Sequence, residues 1–394
     1  DQPPAPGVPV LADLLQPADA DKLKKRARAK YFSFALAREL AQCESVLQKS
    51  YLRTLTCSNK LTRQGDKITA QYCGNRWCLV CCRIRTAKMI NKYEPHLEQM
   101  YQPHFVTLTI PNISADVNEL KYCITNMQKF CRRMFDKLRK QGIKFKGFRK
   151  IEITYNPTTA TFHPHIHFLL DGNINELQDA QALAKIFATW KKSKLPVAKF
   201  QRQLERYNNG VITPGYLKCE LLRQYWLQEF PGARAVAQDI RPATAGTLKG
   251  LFKYTAKIVS KAKGEKSCSI QHHEFTCRNG EVKTVLKKKY VTESAMHVYV
   301  QALDRIYCAM YGKRILQTVG YTRKEAAAFN EIVEGAIQED LQAQELEGLD
   351  ENVNMCFEWY ANDWREVATG HRLTGWQPSD KDIGAAQAFV WDSG

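Results

Sequence analysis

The stretch His163–Leu170, which reads His-Pro-His-Ile-His-Phe-Leu-Leu, constrains the fold more than any other feature of the chain. Three histidines alternate with other residues and lead directly into an apolar segment, a pattern that predicts a β-strand. Successive side chains of a strand point to opposite faces, so His163, His165 and His167 project from one face and the residues between them face a core. The chain has only nine histidines, which disfavours the alternative of a surface strand with chance histidines. We therefore predict a metal site on one face of a sheet.

The charge of the chain is unevenly distributed. The 58 Lys and Arg exceed the 40 Asp and Glu and give a formal net charge of +18. Residues Tyr321–Gly394 have the opposite balance, with 5 basic against 15 acidic residues. The basic body that precedes them suits a polyanion, above all nucleic acid, because neutralising phosphates releases counterions. A basic protein without such a ligand is the plainer alternative.

Length and hydropathy indicate a globular protein. The 394 residues, of which 44% are hydrophobic, are enough for two or more domains with a substantial core. No window has the unbroken apolar run of a membrane helix, and no apolar signal-peptide core lies near Asp1. We expect a soluble, cytoplasmic protein that does not bind membranes.

A cluster of cysteines predicts a structural zinc site. Cys78 and Cys81 form a Cys-x-x-Cys pair with Cys73 upstream, and the absence of a secretory signal makes metal ligation a better use than disulfides. Cys57 is the nearest candidate for the fourth ligand, and Cys82 competes with it. A redox Cys-x-x-Cys is disfavoured because the surrounding sequence does not resemble a strand-to-helix turn.

Composition and periodicity divide the chain into four regions. They are a flexible lead-in (1–19), a basic helical region with the zinc site (20–100), a core domain with a helical insertion at about 175–230 (101–320), and an acidic, aromatic-rich helical region (321–394). Within the core domain, alternating β-branched residues predict strands at Phe105–Ile110 and Gly147–Tyr155, and amphipathic spacing predicts a helix at Asp116–Lys140. A further strand is predicted at Ala233–Ile240.

A hairpin supplies the third metal ligand. If the Gly147–Tyr155 strand pairs with the histidine strand about a turn near Thr158, Glu152 lies opposite His165. Glu152, His165 and His167 then form a three-ligand site with open positions for water or a phosphate. His163, near the turn, is expected to support the site or contact a ligand. The alternative for Glu152 is a cross-strand partner for a lysine.

Residues Gly246–Lys261 predict a helix on which Tyr254, Lys257 and Lys261 share a face. A tyrosine beside lysines is a candidate nucleophile, since positive charge favours the phenolate. On spacing alone, a structural tyrosine is the stronger interpretation.

These features in combination resemble the HUH endonucleases. The resemblance rests on His165-Ile166-His167 within the histidine strand, on the Tyr-x-x-Lys sequence at Tyr254 and Lys257, and on the strand at Phe105. Within the HUH endonucleases, the chain most resembles the rolling-circle replication initiator (Rep) proteins of small bacterial plasmids. This narrower resemblance rests on the pattern Cys73-x-x-Arg-x-Cys-x-x-Cys and on the segment Tyr311–Arg314.

The resemblance implies an α+β fold, in which helices flank a central antiparallel sheet beside a zinc-binding N-terminal element and a helical C-terminal appendage. It also implies nicking and joining of single-stranded or stem-loop origin DNA, with Mg²⁺ or Mn²⁺ bound at the Glu152 site. Tyr254 would attack to give a 5′-phosphotyrosine, and Lys257 would assist. Some relatives carry a glutamate four residues before the tyrosine, where this chain has Gly250, so their termination chemistry is in doubt here.

Several further expectations accompany this interpretation. Contacts to DNA are predicted for His163, Arg76, Arg83, Lys253 and Lys261, and host replication proteins such as a helicase, together with a second copy of the chain, are predicted partners. Two other functions stay open: an HUH-type single-strand transposase, and a zinc-stabilised DNA-binding regulator without catalysis. The acidic C-terminal region is interpreted as an appendage packed on the core or as an element that binds a partner or inhibits DNA binding.

Overall fold

The computed structural model describes residues 10–11, 17–64, 67–172, 179–244, 260–261, 266–276, 282–292, 296–322, 324–327, 344–345, 354–387 and 389–390. Its helices are α1 (Pro17–Leu40), α2 (Gln48–Leu55), α3 (Leu79–Glu98), α4 (Val117–Lys140), α5 (Asp179–Lys192), α6 (Val197–Asn208), α7 (Pro214–Glu229), α8 (Val300–Met310) and α9 (Asp380–Gln387). Its first strands are β1 (Lys60–Gln64), β2 (Lys67–Ala70), β3 (His104–Thr109), β4 (Ile113–Ser114), β5 (Gly147–Asn156), β6 (Thr161–Leu170) and β7 (Asp239–Pro242). The later strands are β8 (Ser260–Lys261), β9 (Lys266–Thr276), β10 (Val282–Thr292), β11 (Met296–Tyr299), β12 (Leu316–Val319), β13 (Gln344–Glu345), β14 (Asn354–Tyr360), β15 (Asp363–Glu366) and β16 (Phe389–Val390).

A central antiparallel sheet organises the body of the protein. Its strand order is β12-β5-β6-β3-β7, with β4 pairing to the turn end of β6. The predicted strands at 105–110 and 147–155 and the histidine strand are β3, β5 and β6, so the α+β prediction with a central antiparallel sheet is confirmed. The hairpin of β5 and β6 forms because two alternating apolar runs flank the turn that begins at Asn156, whose side chain accepts from the N–H of Thr158 at 3.1 Å.

One face of this sheet carries the main core. Ile166 and Phe168 of β6 are fully buried and pack with Phe130 and Met134 of α4 and Trp226 of α7. Helix α4 presents an apolar stripe to the sheet, and its N-terminus is capped by Asp116, which accepts from the N–H of Glu119 at 2.7 Å. The predicted helix at 116–140 is therefore confirmed, and the covering helices α5, α6 and α7 occupy the predicted insertion.

The opposite face of the sheet is divided between a second apolar cluster and the histidines. Phe105, Phe148 and Leu169 lie across neighbouring strands and pack against Met89 and Tyr93 of α3. The residues nearer the β5–β6 turn on this face are polar. Helix α3 covers one end of the face, and the metal-ligand candidates lie beyond it.

A second sheet joins distant parts of the chain. Its order is β13-β2-β1-β14-β15, and Leu61 of β1 pairs with Phe357 of β14. Phe357 and Trp364 are buried against Leu23 of α1 in a cluster of their own. This sheet and α1 build the N-terminal element around the cysteines.

The C-terminal region differs from the prediction of a helical appendage. Its described residues include the hairpin of β14 and β15 and only one described helix of eight residues or more, α9. A helix was predicted because the region is acidic. Phe357, Trp359 and Trp364 instead lie in the strands β14 and β15, because β14 pairs with the edge of β1.

Boundaries differ at three further points. Helix α1 begins at Pro17, inside the predicted flexible lead-in, because proline is tolerated where the N–H has no helical acceptor. The basic sequence from Arg83 predicts a helix that ends near Pro95, whereas α3 continues through the proline to Glu98. The strand predicted at 233–240 is instead a 3₁₀ turn at Ala235–Ala237 followed by β7.

Within the described residues, no helix combines the length and the apolar character needed to cross a membrane.

Candidate functional site: a metal centre on the sheet beside a cysteine cluster

The register of β5 and β6 brings the predicted metal ligands together. Glu152 pairs with His165, and Lys150 pairs with His167, as the hairpin prediction required. The Nε2 atoms of His165 and His167 lie 3.8 Å and 3.6 Å from the two carboxylate oxygens of Glu152. One ligand atom from each of the three residues lies within 4.8 Å of the others. This group has the spacing of a three-ligand metal site.

Hydrogen bonds orient both imidazoles toward Glu152. The Nδ1–H of His165 donates to the backbone oxygen of His163 at 3.1 Å. The Nδ1 atom of His167 lies 3.0 Å from the hydroxyl of Thr107 on β3, and its ring stacks on Phe105 at 5.1 Å between centroids. Because Nδ1 is engaged in each ring, Nε2 is the atom available to a metal.

The electrostatics of the site favour the ligand-competent forms. Burial opposes ionisation of Glu152, but the hydrogen bond with His167 and the charge of Lys150 outweigh it and lower its pKa to about 2. Burial, together with the neighbouring His167, lowers the pKa of His165 to about 4. Glu152 is therefore a carboxylate and His165 a neutral imidazole near neutral pH, which is what coordination of a divalent cation requires.

His163 lies outside the ligand group. It pairs with Thr154 at the next position toward the turn, and its ring centroid is 5.5 Å from that of His165. Its backbone oxygen, rather than its imidazole, holds His165 in place. A contact of the His163 side chain with DNA stays a prediction.

Four cysteines of the N-terminal element form a second group of metal ligands. The Sγ atom of Cys57 lies 3.5 Å from that of Cys78 and 3.6 Å from that of Cys81, and Cys73 lies 3.7 Å from Cys81. Four thiolates around zinc at about 2.3 Å have sulfur–sulfur edges of about 3.8 Å. The four sulfurs therefore have nearly the size of a closed tetrahedral site.

The competing fourth ligand, Cys82, lies elsewhere. Its thiol donates to the backbone oxygen of Arg76, and burial raises its pKa to about 12. Cys57 completes the group instead, as the sequence favoured.

Donors around the cysteine cluster suit thiolates. The backbone N–H of Cys73 points to the sulfur of Cys57 at 3.4 Å, and the hydroxyl of Ser33 donates to Cys78 at 3.3 Å. Hydrogen bonds from the neighbouring thiols lower the pKa of Cys73. Lys30 of α1 is almost fully buried and donates to the backbone oxygen of Leu55 at 3.1 Å and to that of Cys57, which places a cation beside the sulfurs.

The structure describes some of the remaining predicted site residues and not others. Arg76 is half-buried and donates to the backbone oxygen of Lys313, and Arg83 is exposed and donates to that of Lys25 at 2.8 Å. Lys261 lies in the short strand β8, paired with Met296, rather than at the end of a helix. The predictions for Tyr254, Lys257, Lys253 and Gly250 fall outside the described residues.

Sequence reasoning missed three residues that support these sites. Thr107 holds His167, Lys150 lies 3.8 Å from Glu152, and Lys30 lies beside the cysteines. Alternation along β5 could have placed Lys150 on the face of Glu152, but nothing local links Thr107 or Lys30 to their partners.

Comparison with known proteins links part of the chain to one family. A family model described as a replication protein matches residues 66–173. That segment contains Cys73, Cys78 and Cys81 together with all three ligands of the sheet. Residues 66–173 are therefore similar to the replication-protein domain of the Rep family.

Curated relatives of the Rep family agree with this assignment. A protein named protein rep from Staphylococcus aureus is 28% identical over 165 residues, which are 40% of this chain and 70% of that protein. Namesakes from Bacillus amyloliquefaciens and Streptococcus pneumoniae are 28% and 29% identical over 38% and 34% of this chain. In both of these, the aligned segment is 43% of the relative's length. No solved structure matches.

Proposed function

We propose that this protein starts rolling-circle replication of a plasmid by nicking, and later rejoining, single-stranded or stem-loop origin DNA. The observation that carries the proposal is the convergence of Glu152, His165 and His167 on one face of the sheet, within the segment that matches the replication-protein family. A DNA-nicking enzyme needs such a site because phosphodiester cleavage requires charge stabilisation on the phosphate.

The donor set fits Mn²⁺ or Mg²⁺. One carboxylate and two imidazoles leave coordination positions open, and the carboxylate favours a hard divalent cation. When bound, such a cation would polarise the scissile phosphate and offset the charge that develops on it. Thr107 would keep His167 oriented, and Lys150 would hold Glu152 in its ionised form.

Tyr254 is the proposed nucleophile. Its phenolate oxygen would attack the phosphorus, forming the Tyr–O–P bond as the P–O3′ bond breaks, so that a 5′-phosphotyrosine and a free 3′-OH result. Lys257 would take up the phenol proton or stabilise the phosphate charge. Attack by a 3′-OH on the phosphotyrosine reverses the step and rejoins strands without ATP.

Two features set the scope of the proposal. Gly250 stands where some relatives carry a glutamate, so terminating hydrolysis through that carboxylate is not included. A structural Zn²⁺ is proposed for Cys57, Cys73, Cys78 and Cys81. The predicted location is the cytoplasm, and the predicted partners are a helicase and a second copy of the chain.

Adduct formation tests the proposal. A labelled single-stranded stem-loop oligonucleotide from the plasmid origin is incubated with the protein and Mn²⁺, and a covalent protein–DNA adduct is sought on a denaturing gel. Tyr254→Phe should abolish the adduct, whereas Tyr122→Phe, at an exposed tyrosine on α4, should leave it unchanged.

The outcomes separate the alternatives. An adduct that persists in Tyr254→Phe moves the nucleophile to another residue. DNA binding without cleavage of any stem-loop substrate favours the non-catalytic regulator. Cleavage confined to the ends of a mobile element favours the transposase.

A further inference from the structure

A cleft lies between the loop that follows Cys73 and the strand that carries Glu152. Its volume is about 470 Å³, within the range of small-ligand sites. One wall comes from α2 and the loop between the cysteines, another from the C-terminal end of α8, and the floor from β5 at 151–153. Glu152 lines this cleft, so the cleft borders one of the three metal-ligand candidates.

Aromatic side chains from two elements line the cleft. Tyr311, just after α8, is 67% exposed, although it stands in a wall of the cleft. Tyr307 and Trp77 lie deeper, with ring centroids 5.4 Å apart, and Trp77 is only 9% exposed. The Nε1–H of Trp77 is buried and finds no acceptor within the described part of the chain.

The charged residues that line the cleft are two arginines, Arg53 and Arg76, and one carboxylate, Glu152. Arg53 is exposed, and one of its Nη atoms donates to the side-chain oxygen of Asn75 at 3.1 Å. Arg76 donates to the backbone oxygen of Lys313, which fastens the cysteine loop to the segment after α8. Arg314 of the same segment is exposed. Cations beside an exposed aromatic ring are the combination that binds single-stranded nucleic acid, through backbone phosphates and base stacking.

We propose that this cleft binds one nucleotide of the single strand, next to the scissile phosphate that a divalent cation bound by Glu152, His165 and His167 would hold. The base stacks on Tyr311, and the adjoining phosphate lies between Arg53 and Arg76. This inference rests on the proposed function for its substrate, and it gives the cysteine cluster a second task. By holding Arg76 and Trp77 between Cys73 and Cys78, the cluster builds one wall of the DNA site.

Binding measured without cleavage tests the cleft separately from the chemistry. The full chain is titrated onto a fluorescein-labelled oligothymidylate without a divalent cation, and fluorescence anisotropy gives the affinity. Stacking tolerates any base, so a homopolymer suffices. Tyr311→Ala should weaken binding about tenfold, and Tyr311→Phe should bind like the wild type because the stacking face remains.

Two variants complete the design. Arg53→Gln should weaken binding and reduce its salt dependence, because one phosphate contact is lost. Tyr360→Ala is the matched control for Tyr311→Ala, because Tyr360 lies on β14 of the second sheet and is similarly exposed, at 65%. This variant should bind like the wild type. An oligothymidylate carrying 5-iodouracil, irradiated with the wild type, should crosslink to Tyr311, Tyr307 or Trp77.

The inference fails if Tyr311→Ala and Arg53→Gln both bind like the wild type, or if the crosslinks map only outside the cleft. These results do not depend on adduct formation. If the wild type binds through the cleft but forms no adduct with origin DNA, the proposed nicking is wrong and the proposed binding of DNA by the cleft stands.

Discussion

Glu152 and His165 are directly paired across the antiparallel ladder of β5 and β6, and Oε1 of the first lies 3.8 Å from Nε2 of the second. On the other side of His165, β3 continues the ladder, because Thr109 pairs with His165. A metal bound here would meet ligands that are already arranged, so little conformational freedom is lost on binding.

Glu152→Gln should abolish both metal binding and adduct formation. The amide keeps the shape of the side chain but removes the negative charge, and we expect Mn²⁺ affinity to fall at least about 100-fold. Isothermal titration with Mn²⁺ measures the loss. Thr154→Val, two residues along the same strand face, should retain the affinity, and an unchanged affinity in Glu152→Gln would exclude this carboxylate as a ligand.

Thr107→Val should weaken the metal site without touching a ligand. The hydroxyl of Thr107 lies 3.0 Å from Nδ1 of His167, and loss of such a supporting bond costs about 10–100-fold in metal affinity. The same titration applies. Thr318→Val, on β12 of the same sheet, is the matched control; equal affinities for the two variants would show that the bond does not orient the imidazole.

Cys57→Ser and Cys82→Ser should behave differently although both thiols are buried. Only the sulfur of Cys57 lies within the tetrahedral group, so Cys57→Ser should lose the bound zinc and unfold at a lower temperature. Cys82→Ser should keep about one zinc per chain. Elemental analysis and thermal unfolding monitor both, and zinc loss confined to Cys82→Ser would reverse the assignment.

Trp364→Phe should destabilise the N-terminal element. The indole N–H of the fully buried Trp364 donates to the backbone oxygen of Ser58 at 2.7 Å, next to Cys57 in sequence. Losing this bond and part of the buried ring should lower the free energy of unfolding by about 2 kcal/mol, measured by urea denaturation. Trp376→Phe, at a partly buried tryptophan of the same cluster, should cost less than about 1 kcal/mol; an equal cost would argue against the hydrogen bond.

The metal centre was predictable because it is local. Alternation along β5 and β6 and a turn between them determine which residues face each other, so the order of residues alone places Glu152 opposite His165. The cysteine cluster was predictable for the same reason, since three of its members lie within nine residues and Cys57 was the nearest candidate for the fourth.

Residues that meet only through the tertiary fold were not predictable. Thr107 and His167 are 60 residues apart, and Lys30 reaches the cysteines from another helix. The C-terminal hairpin was expected to be helical because a sequence does not reveal that β1 leaves an edge for β14. The local sequence pattern predicts a strand or helix well when the element that it pairs with is close in sequence, and poorly when that element is far away in sequence.

The bond between Trp364 and Ser58 joins residues separated by 306 positions. On the ribosome, β1 emerges long before β14, so the sheet beside the cysteines can be completed only after most of the protein has been synthesised. The central hairpin has no such delay, because its two strands follow each other directly. The sheet that carries Glu152, His165 and His167 can therefore form early during translation, while the element that carries the four clustered cysteines is completed late.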